Sequence, residues 1–199
     1  MRIARYFLLT SLLITGASAD AVSSFEIQVN TSALQNQSGY LDFQFNPGAA
    51  SDPASASLSA FSSDGTLSLP TANSGDVSGT LPAAVTLNND QVYNDYNEGF
   101  TFGSFFDVFV TLDIPSFSGH ATSGDAFVLG LYDSSDSNEL ITTNSDPGLV
   151  EIDLDTDGNP TVTNYSPNSE AGVTQTPEPG SMVLLVSALG LFTATRRRT

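Results

Sequence analysis

The chain has 199 residues and a formal net charge of −17, with 22 acidic residues and only five basic ones. It contains no Cys and no Lys, which excludes a disulfide framework, cysteine metal sites and lysine-based nucleophiles. All five arginines lie at the two ends of the chain, and 21 acidic residues lie between them, before Glu178. Such a segment repels phosphate backbones, so nucleic-acid binding is excluded.

The N-terminus has the three parts of a secretory signal peptide. Two arginines precede an apolar stretch at residues 6–14, and the small residues Ala17 and Ala19 mark a cleavage site. Residues 1–19 are therefore predicted to be removed on export, with cleavage after Ala21 as the alternative. The apolar stretch is shorter than the ~20 residues that a spanning helix needs, which argues against an uncleaved anchor.

Residues 20–170 are predicted to form one β-rich ectodomain. Helical periodicity is almost absent there, whereas apolar and polar residues alternate in short runs separated by Ser, Asn, Asp and Gly. Nine or more short strands at this spacing predict an all-β, antiparallel β-sandwich of jelly-roll-like type. The predicted strands are residues 25–29, 41–45, 54–62, 65–69, 76–81, 84–88, 100–102, 104–114, 125–133, 149–155 and 161–165.

The strongest strand signal is at residues 104–114. Five apolar side chains alternate with Asp107, Phe109, Thr111 and Asp113, which predicts a central strand with one buried face. The apolar set is Phe106, Val108, Val110, Leu112 and Ile114.

An Asn/Asp-rich segment at residues 94–99 is predicted to be a loop that leads into an aromatic strand. Tyr93, Tyr96 and Phe100 cluster around it. Sugars stack on aromatic rings and bind amides and carboxylates, so this cluster indicates a carbohydrate-binding surface. The alternative is that Tyr93 and Phe100 enter the core.

His120 lies in a Ser/Gly-rich segment five residues before Asp125. A hydrolytic triad could be drawn around it, but the chain has no Gly-x-Ser-x-Gly elbow, and a lone loop histidine is commonly inert. No catalytic residue is assigned, and the chain is predicted not to be an enzyme.

Asp153, Asp155 and Asp157, followed by Gly158, have the alternate spacing of the first half of a calcium loop. The second half departs from that pattern, because Asn164 stands where the loop wants a bidentate Glu. These three aspartates are therefore a calcium-site hypothesis, and a plain β-hairpin with its turn at Asp157-Gly158 is the alternative.

The C-terminal 23 residues consist of Pro177-Glu178-Pro179-Gly180, an apolar run and the cluster Arg196, Arg197 and Arg198. Residues 171–176 before them are predicted to be an exposed linker. Residues 181–195 would form a helix of roughly 22 Å, which spans a ~30 Å hydrocarbon core only marginally. A simple C-terminal membrane anchor is thus one interpretation of this tail.

This tail resembles the PEP-CTERM sorting signal of Gram-negative bacteria, which would occupy residues 177–199. The resemblance implies that exosortase, an intramembrane enzyme, recognises the Pro-Glu-Pro element after transient anchoring in the inner membrane and then removes the tail. The body is also similar to uncharacterised PEP-CTERM proteins that share an aromatic segment like residues 39–48.

The resemblance implies an exported protein of the cell envelope or extracellular matrix, with a structural or adhesive role and exopolysaccharide or biofilm as its surroundings. The alternative from a different class is a carbohydrate-binding module, assisted by calcium at the Asp153 loop. An extracellular hydrolase is the third hypothesis.

Overall fold

The computed structural model describes residues 21–114, 123–143 and 148–177, and these form an all-β structure. Two single-turn 3-10 segments, Ser32–Leu34 and Pro167–Ser169, are the helical elements of the described ranges. The strands are β1 (Ala21–Asn30), β2 (Ser38–Asn46), β3 (Ser55–Ser63), β4 (Thr66–Ser74), β5 (Val77–Gly79), β6 (Val85–Asn88), β7 (Asp95–Thr101), β8 (Phe105–Ile114), β9 (Ala126–Asp133), β10 (Val150–Leu154), β11 (Pro160–Asn164) and β12 (Ala171–Thr176).

The strands form two six-stranded antiparallel sheets. Sheet A has the order β12-β1-β8-β3-β6-β5, and sheet B has the order β11-β10-β9-β2-β7-β4. Successive strands often lie in different sheets, as β1 and β2 do, so the chain crosses between the layers. The fold is therefore β-sandwich-like, and each sheet has one inner and one outer face.

The inner faces share one apolar core. β8 is an interior strand of sheet A, and its alternating side chains Phe106 to Ile114 are buried as predicted. Phe106 meets Phe100 of sheet B at a ring-centroid distance of 6.2 Å, so the rings join the two layers. Truncating such a buried aromatic costs about 3–5 kcal/mol in well-packed cores.

The segment predicted as a loop at residues 94–99 is instead most of β7, so that prediction is wrong. Tyr96, Glu98 and Phe100 point inward and are buried, which the polar sequence of the segment concealed. The Tyr96 hydroxyl donates a hydrogen bond to the Glu98 carboxylate and accepts one from the backbone N–H of Leu81 at 2.8 Å. These bonds offset the cost of burying polar groups between the sheets.

The expected linker at residues 171–176 also has to be corrected, because these residues form β12. They pair with β1 from Val29↔Ala171 to Ser24↔Thr176. The backbone hydrogen bonds with β1 decide this conformation, because β12 has only two side chains, Ala171 and Val173, that pack on the apolar core. Two apolar residues are too few for alternation to predict a strand.

Several predictions fall on residues outside the described ranges. They are the signal peptide with Ala17 and Ala19, His120, and the sorting signal beyond Pro177. Within the part of the chain that the structure describes, we find no helix with the length and apolar character of a membrane span.

Candidate functional site

An open groove of about 570 Å³ lies along the outer face of sheet A, where β12, β1 and β8 run side by side. We call it the Phe105 groove. Its volume is within the range typical of small-ligand sites. Six of its lining residues matter chemically: Gln28, Asn30, Phe105, Asp107, Glu170 and Gly172.

The register of the sheet brings these side chains together. Asn30 lies opposite Phe105 and Gln28 opposite Asp107 across the β1–β8 pair. Phe105 is 43% exposed although it is a large apolar side chain at the start of a strand. A Cβ on Gly172 would have no neighbour closer than 3.9 Å, so the β12 side of the groove is open.

Backbone and side-chain hydrogen bonds hold the groove in shape. The N–H of Asn30 donates to Glu170 O at 2.8 Å, and the N–H of Thr31 donates to Ser104 O at 2.9 Å. Asp64 Oδ1 accepts from the N–H groups of Ser104 and Phe105 at 2.8 and 3.1 Å. The hydrogen bond from the Ser104 hydroxyl, with these amides, holds the pKa of Asp64 below its usual value. Asp64 therefore fixes the backbone that presents Phe105.

The groove combines one exposed apolar ring with amide and carboxyl groups, and its lining residues include no Lys, Arg or His. A sugar ring offers an apolar face for stacking and hydroxyls for amides and carboxylates. The arrangement thus fits a neutral or positively charged saccharide and disfavours an anionic one.

A second polar surface lies on the outer face of sheet B. We call it the acid–tyrosine patch, and it consists of Asp42, Tyr93, Asp95, Asn97, Tyr132 and Asp136. Asp42 lies opposite Asn97 on β7 and opposite Gly130 on β9. Asn97 Nδ2 donates to both carboxylate oxygens of Asp136, at 3.1 and 3.2 Å.

The loop after β9 supplies Asp136. Asp133 accepts hydrogen bonds from the hydroxyl of Ser135 and the amide of Asn138, and the first of these holds the pKa of Asp133 well below its usual value. Asp136 itself has φ +55°, a left-handed conformation that Asp tolerates better than most residues. The loop thereby folds back over the sheet.

Burial changes the acid–base properties of the patch. Desolvation, together with the neighbouring carboxyl group of Asp95, raises the pKa of Asp42 from 3.8 to about 8. Burial also raises the pKa of Asp95, against the lowering effect of its hydrogen bonds with Asp42 and Tyr93. Desolvation and the nearby carboxylates raise the pKa values of Tyr93 and Tyr132 as well. At neutral pH Asp42 is therefore mainly protonated and hydrogen-bonded to Asp95.

The aromatic cluster predicted from the sequence is divided by the fold. Tyr96 and Phe100 are in the core, whereas Tyr93 is 46% exposed and belongs to the acid–tyrosine patch. The alternative in which both Tyr93 and Phe100 enter the core is thus right for Phe100 and wrong for Tyr93.

The predicted calcium-loop residues lie on the β10–β11 hairpin, whose strands pair from Val150↔Asn164 to Leu154↔Pro160. Asp155 Oδ1 accepts from the N–H groups of Asp157 and Asn159 at 2.9 and 2.8 Å. The hydrogen bonds of Asn159 hold the pKa of Asp155 below its usual value. Asp155 is thus the organiser of the turn.

Metal-binding geometry is not found at Asp153, Asp155 and Asp157. Within the described residues, no group of three or more His, Cys, Asp or Glu side chains is arranged to hold a metal ion. Asp155 does line a cavity of only about 10 Å³ with Asp125, roughly the space of one water molecule.

Sequence reasoning missed Phe105 and Asp42. The alternation of β8 puts Phe105 on the same outward face as Asp107. A large aromatic side chain at a solvent-facing position could have indicated a binding surface. Asp42 had no such signal, because its neighbours in the patch come from β7, from β9 and from the loop after β9.

Comparison with protein-family models, curated proteins and solved structures finds no significant match to this chain. Functional arguments therefore rest on its own residues.

Proposed function

We propose that this chain is an exported, non-enzymatic protein of the cell envelope or extracellular matrix, with a structural or adhesive role that it exerts by binding polysaccharide. The Phe105 groove is the observation that carries the binding role. An open groove suits a chain-like ligand, since a polymer can enter and leave along its length. The polysaccharide that the groove binds would then be an exopolysaccharide of the matrix.

The sorting part of the proposal rests on the sequence of residues 177–199, which resembles the signal that exosortase processes. Pro177 is exposed and directly follows β12, so the motif begins where sheet A ends. The protein would be held briefly in the inner membrane and then pass to the envelope or matrix. Intact mass spectrometry of native protein from the envelope and the medium tests this: a chain ending near Pro177 supports sorting, and a chain reaching Thr199 in the membrane refutes it.

A jelly-roll-like architecture belongs to the same proposal. The neighbours β1-β8-β3-β6 in one sheet and β2-β7-β4 in the other support it, because jelly rolls distribute two Greek keys over two sheets in this way. β9, β10 and β11 would then be an extension of sheet B beyond β2.

Replacing Phe105 with Ala tests the binding role. We expect the affinity for neutral oligosaccharides or native exopolysaccharide to fall about tenfold or more, since anchoring aromatics typically contribute more than 1 kcal/mol. Val162→Ala is the matched control, because Val162 is a similarly exposed apolar side chain (41%) on sheet B. Equal affinities of the wild type and Phe105→Ala, measured by calorimetry, would refute the groove as the binding site.

A further inference from the structure

The side chains that line the Phe105 groove form two rows across β8, β1 and β12. The first row consists of Phe105, Asn30 and Glu170, and the second row consists of Asp107, Gln28 and Gly172. Neighbouring strands lie about 4.8 Å apart, so each row spans about 10 Å. A single sugar ring is shorter than that, so the groove has room for linked rings.

The second row is bounded by small residues at both ends. β12 is an edge strand of sheet A, and among the described residues a Cβ on Gly172 would meet only Gln28 O, at 3.9 Å. At the other end, Asp107 lies opposite Ser62 of β3, which is exposed and small. A glycine and a serine at these positions let a chain-like ligand continue beyond the groove in both directions.

The two amide side chains on β1 are exposed, and each has a hydrogen-bonding group left for a ligand. Gln28 Nε2 donates to Glu26 Oε1 at 2.9 Å, so the amide oxygen of Gln28 remains as an acceptor. Asn30 Oδ1 accepts from the N–H of Ser32 at 3.0 Å, so the amide nitrogen of Asn30 remains as a donor. A hydroxyl group both donates and accepts. An acceptor beside a donor therefore matches the hydroxyl groups of a sugar.

We propose that the Phe105 groove binds an internal segment of a polysaccharide rather than a chain end. One sugar ring stacks on Phe105, the next lies over Gln28 and Asn30, and the chain leaves the sheet over Gly172. The choice of a polysaccharide rests on the proposed function. Gly172 is then a specificity-determining residue, because a side chain at that position would occupy the exit of the groove.

The first test uses native exopolysaccharide that is partially hydrolysed with acid and separated by length, from monosaccharides to the polymer. Calorimetry with the purified protein measures the affinity for each fraction. We expect the affinity to rise at least about tenfold from the monosaccharides to the tetrasaccharides, because only linked rings reach all three strands. Reduction of the chain ends with borohydride should leave the affinity for the polymer unchanged, because an internal segment contains no chain end.

The second test closes the exit. Gly172→Ile should weaken the binding of the tetrasaccharides and the polymer about tenfold or more, because the new side chain clashes with the bound chain. A β-branched residue suits a strand, and Gly172 is exposed, so the variant should fold. Thr174→Ile is the matched control, because Thr174 is exposed on the same outer face of β12, opposite Glu26, and does not line the groove.

Equal affinities of the wild type and Gly172→Ile would overturn the internal-segment proposal. So would a loss of binding after borohydride reduction, which would mean recognition of a chain end. An equal loss in Gly172→Ile and Thr174→Ile would overturn it too, because it would mean a change in β12 as a whole. In each of these cases, weaker binding by Phe105→Ala would leave the proposed function standing. If the wild type binds neither the fractions nor the polymer, the proposed function fails as well. Circular dichroism of each variant confirms that it is folded.

Discussion

The buried carboxyl group of Asp42 makes a quantitative prediction about stability. Its pKa is raised from 3.8 to about 8 by burial and by Asp95, so the folded state binds a proton that the unfolded state releases above pH 3.8. The stabilising effect of this proton is complete below pH 3.8 and is lost as the pH rises towards 8. Each pH unit in that window costs about 1.4 kcal/mol, which accumulates to about 4 kcal/mol at pH 7.

Asp42→Asn should remove this penalty. The new amide group can donate to Asp95 in place of the shared proton, and its oxygen can still accept from Gln44. The variant should therefore match the wild type near pH 4 and exceed its free energy of unfolding by up to about 4 kcal/mol at pH 7. Within the patch, the remaining pH dependence comes from Asp95, whose pKa burial also raises.

Urea unfolding followed by tyrosine fluorescence at pH 4, 5, 6, 7 and 8 measures the effect, since the chain has six Tyr and no Trp. Asp153→Asn controls for the loss of one negative charge on the same face. Parallel curves for the wild type and Asp42→Asn across this range would refute the argument, and so would a variant less stable than the wild type at pH 7.

Two further substitutions test the core and the close approach of strands. Tyr96→Phe should lower the free energy of unfolding by about 1–3 kcal/mol, because the buried N–H of Leu81 loses its acceptor; an unchanged urea midpoint would contradict this. Gly124→Ala should lower it by more than about 1 kcal/mol, because the added Cβ would overlap the backbone oxygen of Leu154. Gly172→Ala, with nothing within 3.9 Å, is its control in thermal melts and should change little.

Period-two alternation was sufficient to predict most strands, including β8 and β9, because a half-buried strand shows its two faces in the sequence. It failed at β7 and β12 for different reasons. In β7 the inward residues include Glu98, and the hydrogen bond from Tyr96 makes that burial possible. In β12 little apolar surface is buried, so backbone pairing with β1 decides the structure.

The candidate sites, too, could be predicted from the sequence only in part. Phe105 and Asp107 could be assigned to one face from the alternation of β8, but the groove also needs Glu170 and Gly172, which are more than sixty residues later in the chain. For Asp153, Asp155 and Asp157 the sequence leaves two interpretations open, a calcium loop and a plain hairpin with its turn at Asp157-Gly158. The strand pairing shows the hairpin, and the role of Asp155 in its turn, through hydrogen bonds from Asn159, depends on the folded loop.

The sequence by itself determined the acidity of the body, the confinement of positive charge to the ends, and the alternation that makes the described chain an all-β structure. These properties depend on composition and on neighbours one or two positions away. Only the tertiary structure decided which outward-facing polar residues meet, because the order of strands in each sheet joins β2 to β7 and β1 to β12 across long stretches of chain. Burial of Asp42 and Asn97, and with it their chemistry, follows from that order.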